Sequence, residues 1–150
     1  SIALAAAAGL RVLVTSRSEA KAARALGLGA HAVFGSGERL GEQVDAVIET
    51  VGEATWSHSL RALRPGGVIA VAGATSGASA DADLNRMFFK GLRVVGSTMG
   101  TRSELALVQA MMVATGVRPV IDRVVDLDEA ALALDALDRG EVYGKVVVRL

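Results

Sequence analysis

The chain has 150 residues, of which about half are apolar, and its 16 basic side chains balance 16 acidic ones. This length suits one domain with a short appendage, and the zero net charge gives no reason to expect nucleic acid or a membrane as a partner. Without cysteine the chain forms no disulfide or thiolate metal site, so we expect no metal in this chain and a cytoplasmic location.

The first residues, Ser1–Ala8, have the composition of a helix. They lack the basic start and the cleavage site of a signal peptide. The chain has no initiator Met and begins inside this predicted helix, so we expect it to be a fragment of a longer protein.

Short apolar segments rich in β-branched residues then alternate with helix-like segments. The predicted strands are Arg11–Thr15, His31–Gly35, Val44–Thr50, Val68–Gly73, Leu92–Ser97 and Lys145–Leu150. The predicted helices are Ser18–Leu28, Ala54–Leu63, Asp83–Lys90, Thr101–Thr115 and Ala130–Arg139. Most strands are apolar on both faces, as in a parallel sheet covered by helices on both sides. The pattern predicts an α/β fold with an open, doubly wound parallel sheet of the Rossmann type.

Local signals set several helix ends. Ser18 is a predicted N-cap, and the spacing of Ala22, Ala25 and Leu26 places them on one face of the helix that follows. Thr101 and Glu104 have the spacing of a capping box. The alternation stops at Gly116–Asp122, which predicts a dinucleotide-binding domain over 1–116 and a separate C-terminal segment over 117–150.

Ligands of such sheets bind beyond the carboxyl ends of the strands. The first informative end carries Ser16, Arg17 and, one helical turn later, Lys21. An acid at this place binds the ribose of NAD, whereas Arg with small polar neighbours accommodates the 2′-phosphate of NADP. The sequence therefore favours NADP(H) over NAD(H), and the alternative is a capped helix start with solvated charges.

The Gly-rich phosphate loop of this fold lies about 20 residues before that end, which is before Ser1. The other strand ends are small or hydroxyl-bearing. Gly52 and Gly73 would let a flat ring approach the backbone, while Thr50, Thr75 and Ser97 offer hydroxyl donors. The alternative for each glycine is an ordinary turn.

No catalytic residue can be named from the sequence. The remaining polar and aromatic candidates have no partner at a spacing typical of catalysis or metal binding, so we interpret them as structural or surface residues. They are His31, Asp45, Glu49, Trp56, His58, Ser76, Ser79 and Tyr143.

The ordered series Arg11–Lys21, Leu28–Ala30, Val44–Gly52, Ser59–Gly73 and Gly144–Leu150 resembles the medium-chain dehydrogenase/reductase superfamily. Within it, the zinc-type alcohol dehydrogenase and quinone oxidoreductase branches are the most similar. The resemblance covers all 150 residues and corresponds to the cofactor-binding half. It implies hydride transfer between NADPH and a carbonyl, a quinone or an activated alkene.

The resemblance also implies positions for the cofactor. Ser16, Arg17 and Lys21 match the adenosine-phosphate site, and Val51 with Gly52 matches the stretch beside the adenosine. Gly73, Ala74 and Thr75 match the loop at the nicotinamide. In the family a preceding GroES-like domain carries the substrate site and any zinc, and the segment from Val117 resembles the part that packs on that domain. We therefore expect this chain alone to be inactive.

Two other functions fit a similar sheet: an S-adenosylmethionine-dependent methyltransferase and a non-catalytic nucleotide-binding module. The methyltransferase needs an acid at the end of the second strand, where this chain has Ser16 and Arg17.

A small-molecule substrate is the expected partner of the parent protein. The last strand of the sheet, Leu92–Ser97, has an open edge, and we expect two copies of the protein to form a homodimer through it.

Overall fold

The computed structural model describes all residues from Ser1 to Leu150. Its strands are β1 Leu13–Ser16, β2 Ala32–Gly35, β3 Val44–Glu49, β4 Leu63–Val71, β5 Arg93–Gly96, β6 Ile121–Asp126 and β7 Lys145–Arg149. Its helices are α1 Ile2–Ala7, α2 Glu19–Gly27, α3 Glu53–Ala62, α4 Leu84–Lys90, α5 Arg102–Thr115 and α6 Ala130–Asp138, with a 3-10 turn at Leu127–Glu129. No helix has the length and apolar character needed to cross a bilayer.

Side-chain caps fix the helix starts that the sequence predicts. Ser18 accepts a hydrogen bond from the Lys21 amide at the start of α2. Thr101 and Glu104 form the reciprocal capping box of α5, which ends at Gly116 in the left-handed conformation. These caps join residues three positions apart, so their geometry follows from the local sequence.

All strand pairs are parallel, which confirms the α/β class. The strands form three hydrogen-bonded sheets with the orders β1-β2, β3-β4-β5 and β6-β7, rather than one continuous sheet. β1 and β3 each pair on one side only, so both have an open edge. The starts of β1 and β3 lie within reach of two long side chains, since Arg11 before β1 bonds the Glu42 carboxylate before β3 at 2.6 Å.

The C-terminal part contains a strand that the sequence analysis did not predict. β6 begins inside the predicted junction Gly116–Asp122 and pairs with β7. Its charged residues Asp122 and Arg123 interrupt the apolar pattern, and its partner strand begins more than twenty residues later. The strand forms because of this distant partner, which local periodicity does not reveal.

The largest side chains that are fully buried lie between α3 and β4. Leu60, Leu63 and Ile69 form this core. Elsewhere burial is sparse: α5 has no buried residue, and on the predicted common face of α2 Ala25 is buried while Leu26 is 51% exposed. α2 approaches β1 and β2 through the small Ala25, which is 2% exposed.

The core predicts a strong position dependence for leucine truncation. Leu60→Ala should lower the free energy of unfolding by about 2–5 kcal/mol, because it removes apolar contacts and leaves a cavity. Leu132→Ala in α6 is the matched control, since Leu132 is 70% exposed whereas Leu60 is 1% exposed. Urea unfolding of both variants measures the difference, and equal losses would contradict this location of the core.

Candidate functional site

Two loops meet at the carboxyl ends of the neighbouring strands β3 and β4. The ends are in register, with Glu49 opposite Val71. Beyond them, the Ser76 amide and hydroxyl both donate to the Val51 carbonyl, at 2.7 and 2.8 Å. We call residues 50–52 and 73–77 the paired loops. The structure thus brings together the predicted cofactor residues that follow these two strands, which are Val51, Gly52, Gly73, Ala74 and Thr75.

Glycine is required where the paired loops touch. Gly52 has φ 91° and ψ −130°, a region that L side chains rarely adopt, and a Cβ there would overlap the Gly77 carbonyl. A Cβ on Gly73 would lie 2.9 Å from the Thr50 carbonyl oxygen. The contact between the two loops therefore explains why positions 52 and 73 are glycine. The contact of Gly52 and Gly73 with a flat ring stays a prediction.

The side chain of Glu49 lies beneath the paired loops and is 3% exposed. Its Oε1 accepts from the amides of Val51 and Gly52 at 2.8 and 3.1 Å, and from the Thr55 hydroxyl at 2.8 Å. Its Oε2 accepts from the Ser59 hydroxyl at 2.5 Å. No basic side chain forms an ion pair with it, so neutral donors alone compensate this buried carboxylate.

Two opposing effects set the pKa of Glu49. Burial raises it, while the hydrogen bonds lower it, first that from Ser59 and then those from Val51, Gly52 and Thr55. The hydrogen bonds prevail, and the pKa lies below its ordinary value of 4.5. Glu49 is therefore an anion at neutral pH.

A cavity of about 210 Å³ lies beside the paired loops. Glu49 and Trp56 line it together with the small residues Gly52, Gly73, Ala74 and Ala80. Small residues leave backbone atoms accessible, and the nearby carboxylate disfavours an anionic group. The cavity thus suits an uncharged or cationic group of modest size.

The predicted phosphate site is a second group of residues, at the turn between β1 and α2. Ser16 Oγ bonds the backbone of Ser18, and Lys21 Nζ donates to the Gly140 carbonyl at 2.6 Å. Arg17 is exposed and forms no ion pair. No hydrogen bond or ion pair joins this group to the paired loops, so the structure places the predicted site residues in two separate groups.

The sequence analysis did not single out Glu49, Thr55, Ser59 or Ser76 as members of this network. An acid at the end of a strand followed by hydroxyl residues on the next helix is the only sequence signal, and it is weak. The two histidines make backbone hydrogen bonds: His31 Nδ1 accepts from the Val12 amide, and His58 Nε2 contacts the Glu38 carbonyl.

Parallel strands, intervening helices and small loops at the carboxyl ends define the nucleotide-binding class of α/β folds. A sequence profile of the family described as zinc-binding dehydrogenase matches residues 1–115. The chain belongs to this family and corresponds to its cofactor-binding half. The match gives no support to the methyltransferase and non-catalytic alternatives.

Individual relatives agree with this assignment. An NAD-dependent alcohol dehydrogenase from Sulfolobus acidocaldarius is 33% identical over 112 residues, which are 73% of this chain and 32% of that protein. A solved thermostable alcohol dehydrogenase from Pyrobaculum aerophilum is 30% identical, with a TM-score of 0.87 over 99% of this chain and 45% of that chain. The chain therefore spans less than half the length of these relatives.

A more distant structure shares the fold. A crotonyl-CoA carboxylase/reductase solved in complex with NADP has a TM-score of 0.91 at 18% identity, over 99% of this chain and 46% of that chain. At this identity the likeness concerns the fold alone.

The residues of this chain do not fit a zinc ion. A zinc site needs three or four nitrogen, sulfur or carboxylate ligands that converge on one point. The chain has no cysteine, and no three His, Asp or Glu side chains converge in this way. No role for zinc can be derived from these residues.

The loop contact predicts unequal costs for two glycine substitutions. Gly52→Ala should lower the free energy of unfolding by about 1–3 kcal/mol more than Gly37→Ala, because the new methyl group must displace backbone. Gly37 is the matched control, since its φ of 80° is similar and nothing lies within 4 Å of a Cβ there. Chemical denaturation measures both, and an equal loss would mean that the loops do not touch.

The pKa of Glu49 predicts a dependence of stability on pH. The folded pKa is lowered, so the unfolded state binds more protons in the interval below the ordinary value of 4.5. The stabilisation by Glu49 is complete above that value and is lost as the pH falls through the folded pKa. Glu49→Gln should therefore flatten this part of the pH profile.

Unfolding titrations from pH 3 to pH 7, compared between wild type and variant, test this linkage. Glu19→Gln is the control, since Glu19 is an exposed glutamate of α2 with no side-chain hydrogen bond. An unchanged slope in Glu49→Gln would show that this carboxyl does not titrate differently in the folded state.

Proposed function

We propose that this chain is the cofactor-binding part of an NADP(H)-dependent oxidoreductase that transfers hydride to or from a carbonyl, a quinone or an activated alkene. The observation that carries the proposal is the meeting of small-residue loops at the carboxyl ends of β3 and β4, in a chain of the zinc-binding dehydrogenase family. The names of the alcohol dehydrogenase relatives support carbonyl chemistry. The bound nicotinamide would supply or accept the hydride, and the residues of this chain would orient it.

The charge distribution supports one orientation of the cofactor. Arg17 is an exposed cation with no ion pair at the turn after β1, whereas Glu49 is a buried anion at the end of β3. A phosphate is favoured at the first place, and an uncharged or cationic ring at the second. In this proposal Ser16, Arg17 and Lys21 hold the 2′-phosphate. Lys21 Nζ would give up its hydrogen bond to the Gly140 carbonyl and bind the phosphate instead.

The paired loops would hold the rest of the dinucleotide. Val51 and Gly52 would lie beside the adenosine, and Gly73, Ala74 and Thr75 would contact the nicotinamide. The cavity beside the loops is lined by Gly52, Gly73 and Ala74, which supports a ligand at this place.

The open edges of β1 and β3 support the proposed extent of the nucleotide-binding domain. Parallel strands lie about 4.8 Å apart, and the two long side chains of the Arg11–Glu42 ion pair can bridge a gap that holds one further strand. We propose that a strand followed by the Gly-rich phosphate loop completes the domain 1–116 there. Turnover by residues 1–150 alone is not expected, since the chain spans less than half the length of its relatives.

The C-terminal segment 117–150 is proposed to pack on a catalytic domain. Its strands β6 and β7 form a two-stranded sheet with exposed valines on them, among them Val124, Val147 and Val148. A two-stranded sheet with exposed apolar side chains is only marginally stable by itself, and further protein would cover it.

The cytoplasmic location of the protein stays a prediction.

Arg17→Ala in the full-length enzyme tests the choice of cofactor. It should weaken NADPH binding by about 1–3 kcal/mol, the scale of a lost hydrogen bond to a charged group, and leave NADH binding nearly unchanged. Arg61→Ala, which removes an exposed arginine of α3, controls for the change in net charge. Fluorescence titration with both cofactors measures the affinities, and an equal loss for NADPH and NADH would rule out a 2′-phosphate contact.

We also propose a homodimer formed through the edge strand Leu92–Ser97. β5 pairs only with β4, and its side chains Val94 and Val95 are exposed. The Ser97 amide donates to the Val71 carbonyl on the β4 side. Because successive amides along a strand point to opposite sides, the Val94 amide faces the open edge. A two-fold axis would pair this edge with its own copy.

Val94→Pro should shift the protein towards monomer, because it removes an outward donor and spares the amides that bond β4. Val94→Ala, which keeps the amide, is the control and should stay dimeric. Sedimentation of both variants of the full-length protein at micromolar concentration measures the change. A monomeric wild type, or a dimer that Val94→Pro leaves intact, would contradict this interface.

A further inference from the structure

We propose that Glu49 is a positioning residue for the cofactor: its carboxylate holds the Val51–Gly52 backbone in the conformation that the 73–77 loop needs to meet it. The inference rests on the proposed function, since it concerns the loops that would bind the dinucleotide. It assigns a role to a side chain that is too buried to touch a ligand extensively.

The argument begins with one peptide unit. The Gly52 amide and the Val51 carbonyl belong to the same planar trans peptide, so they point in opposite directions. Glu49 Oε1 fixes the amide inward at 3.1 Å, and the carbonyl must then point outward. There it accepts both hydrogen bonds of Ser76, which hold the second loop in place.

The carboxylate is itself held in position by α3. The Thr55 and Ser59 hydroxyls donate to its two oxygens at 2.8 and 2.5 Å, from successive turns of the helix. The N-cap of α3 is Gly52, which offers no side-chain cap. Glu49 thus supplies from β3 a hydrogen-bond acceptor at the start of α3. One side chain joins strand, helix and both loops.

A matched set of variants separates this role from general stability. Glu49→Ala removes every acceptor. Glu49→Gln keeps Oε1 for the two amides, while its amide nitrogen can donate to the Ser59 hydroxyl. Glu49→Asp keeps the charge but is one methylene too short to reach both amides. Leu60→Ala damages the adjacent core without touching the network.

The measurements are the dissociation constant for NADPH, by fluorescence titration of the full-length enzyme, and the melting temperature. Glu49→Ala and Glu49→Asp should each weaken NADPH by about tenfold or more, as expected when a pair of buried amides loses its acceptor. Glu49→Gln should stay close to wild type. Leu60→Ala should lower the melting temperature and leave the affinity of the folded enzyme close to wild type.

The outcomes distinguish the positioning role of Glu49 from effects of its charge and of general stability. Normal affinity in Glu49→Asp overturns the proposal, and this variant decides the matter if Glu49→Ala does not fold. A loss in Glu49→Gln as large as in Glu49→Asp, or a similar loss in Leu60→Ala, also overturns it, since charge or stability would then be the cause. A wild-type enzyme that binds neither NADPH nor NADH overturns the proposed function together with this inference.

Discussion

A buried carboxylate without a cationic partner is the interaction on which the site depends. Transferring Glu49 from water is costly, and the cost is offset by two backbone amides and two hydroxyls rather than by a countercharge. Each of these donors belongs to a segment that must be in place at the same time. The end of β3, the first turns of α3 and the loop before it are therefore fixed together.

The second constraint is the close approach of the loops that follow β3 and β4. Gly52 and Gly73 allow backbone to lie where a side chain would otherwise stand. This contact continues the network outward from Glu49, because the carbonyl of Val51 is the acceptor for Ser76. The loops are held by hydrogen bonds at their base and are small at their surface, which is suitable for a ligand that lies flat against backbone.

The distribution of apolar surface shows where further protein contacts are expected. The main cluster of buried side chains is confined to α3, β4 and their neighbours, while α5 and β5 expose apolar side chains. The chain spans only 32% of the curated relative and 45% of a solved one. Exposed apolar faces and open strand edges are the places where the remaining parts of such a protein, or a second copy, would pack.

The sequence by itself determined the α/β class, the caps at Ser18 and Thr101, and the strand ends at which the loops meet. These features depend on residues a few positions apart, or on a periodicity within one segment, so local chemistry suffices. Only the tertiary structure decided that β6 is a strand, that the strands divide into three sheets, and that Glu49 lies buried among Val51, Thr55 and Ser59. Each of these depends on partners that are distant in the chain or on a burial that no single segment specifies, because a strand or a buried charge is stable only once its partners are in place.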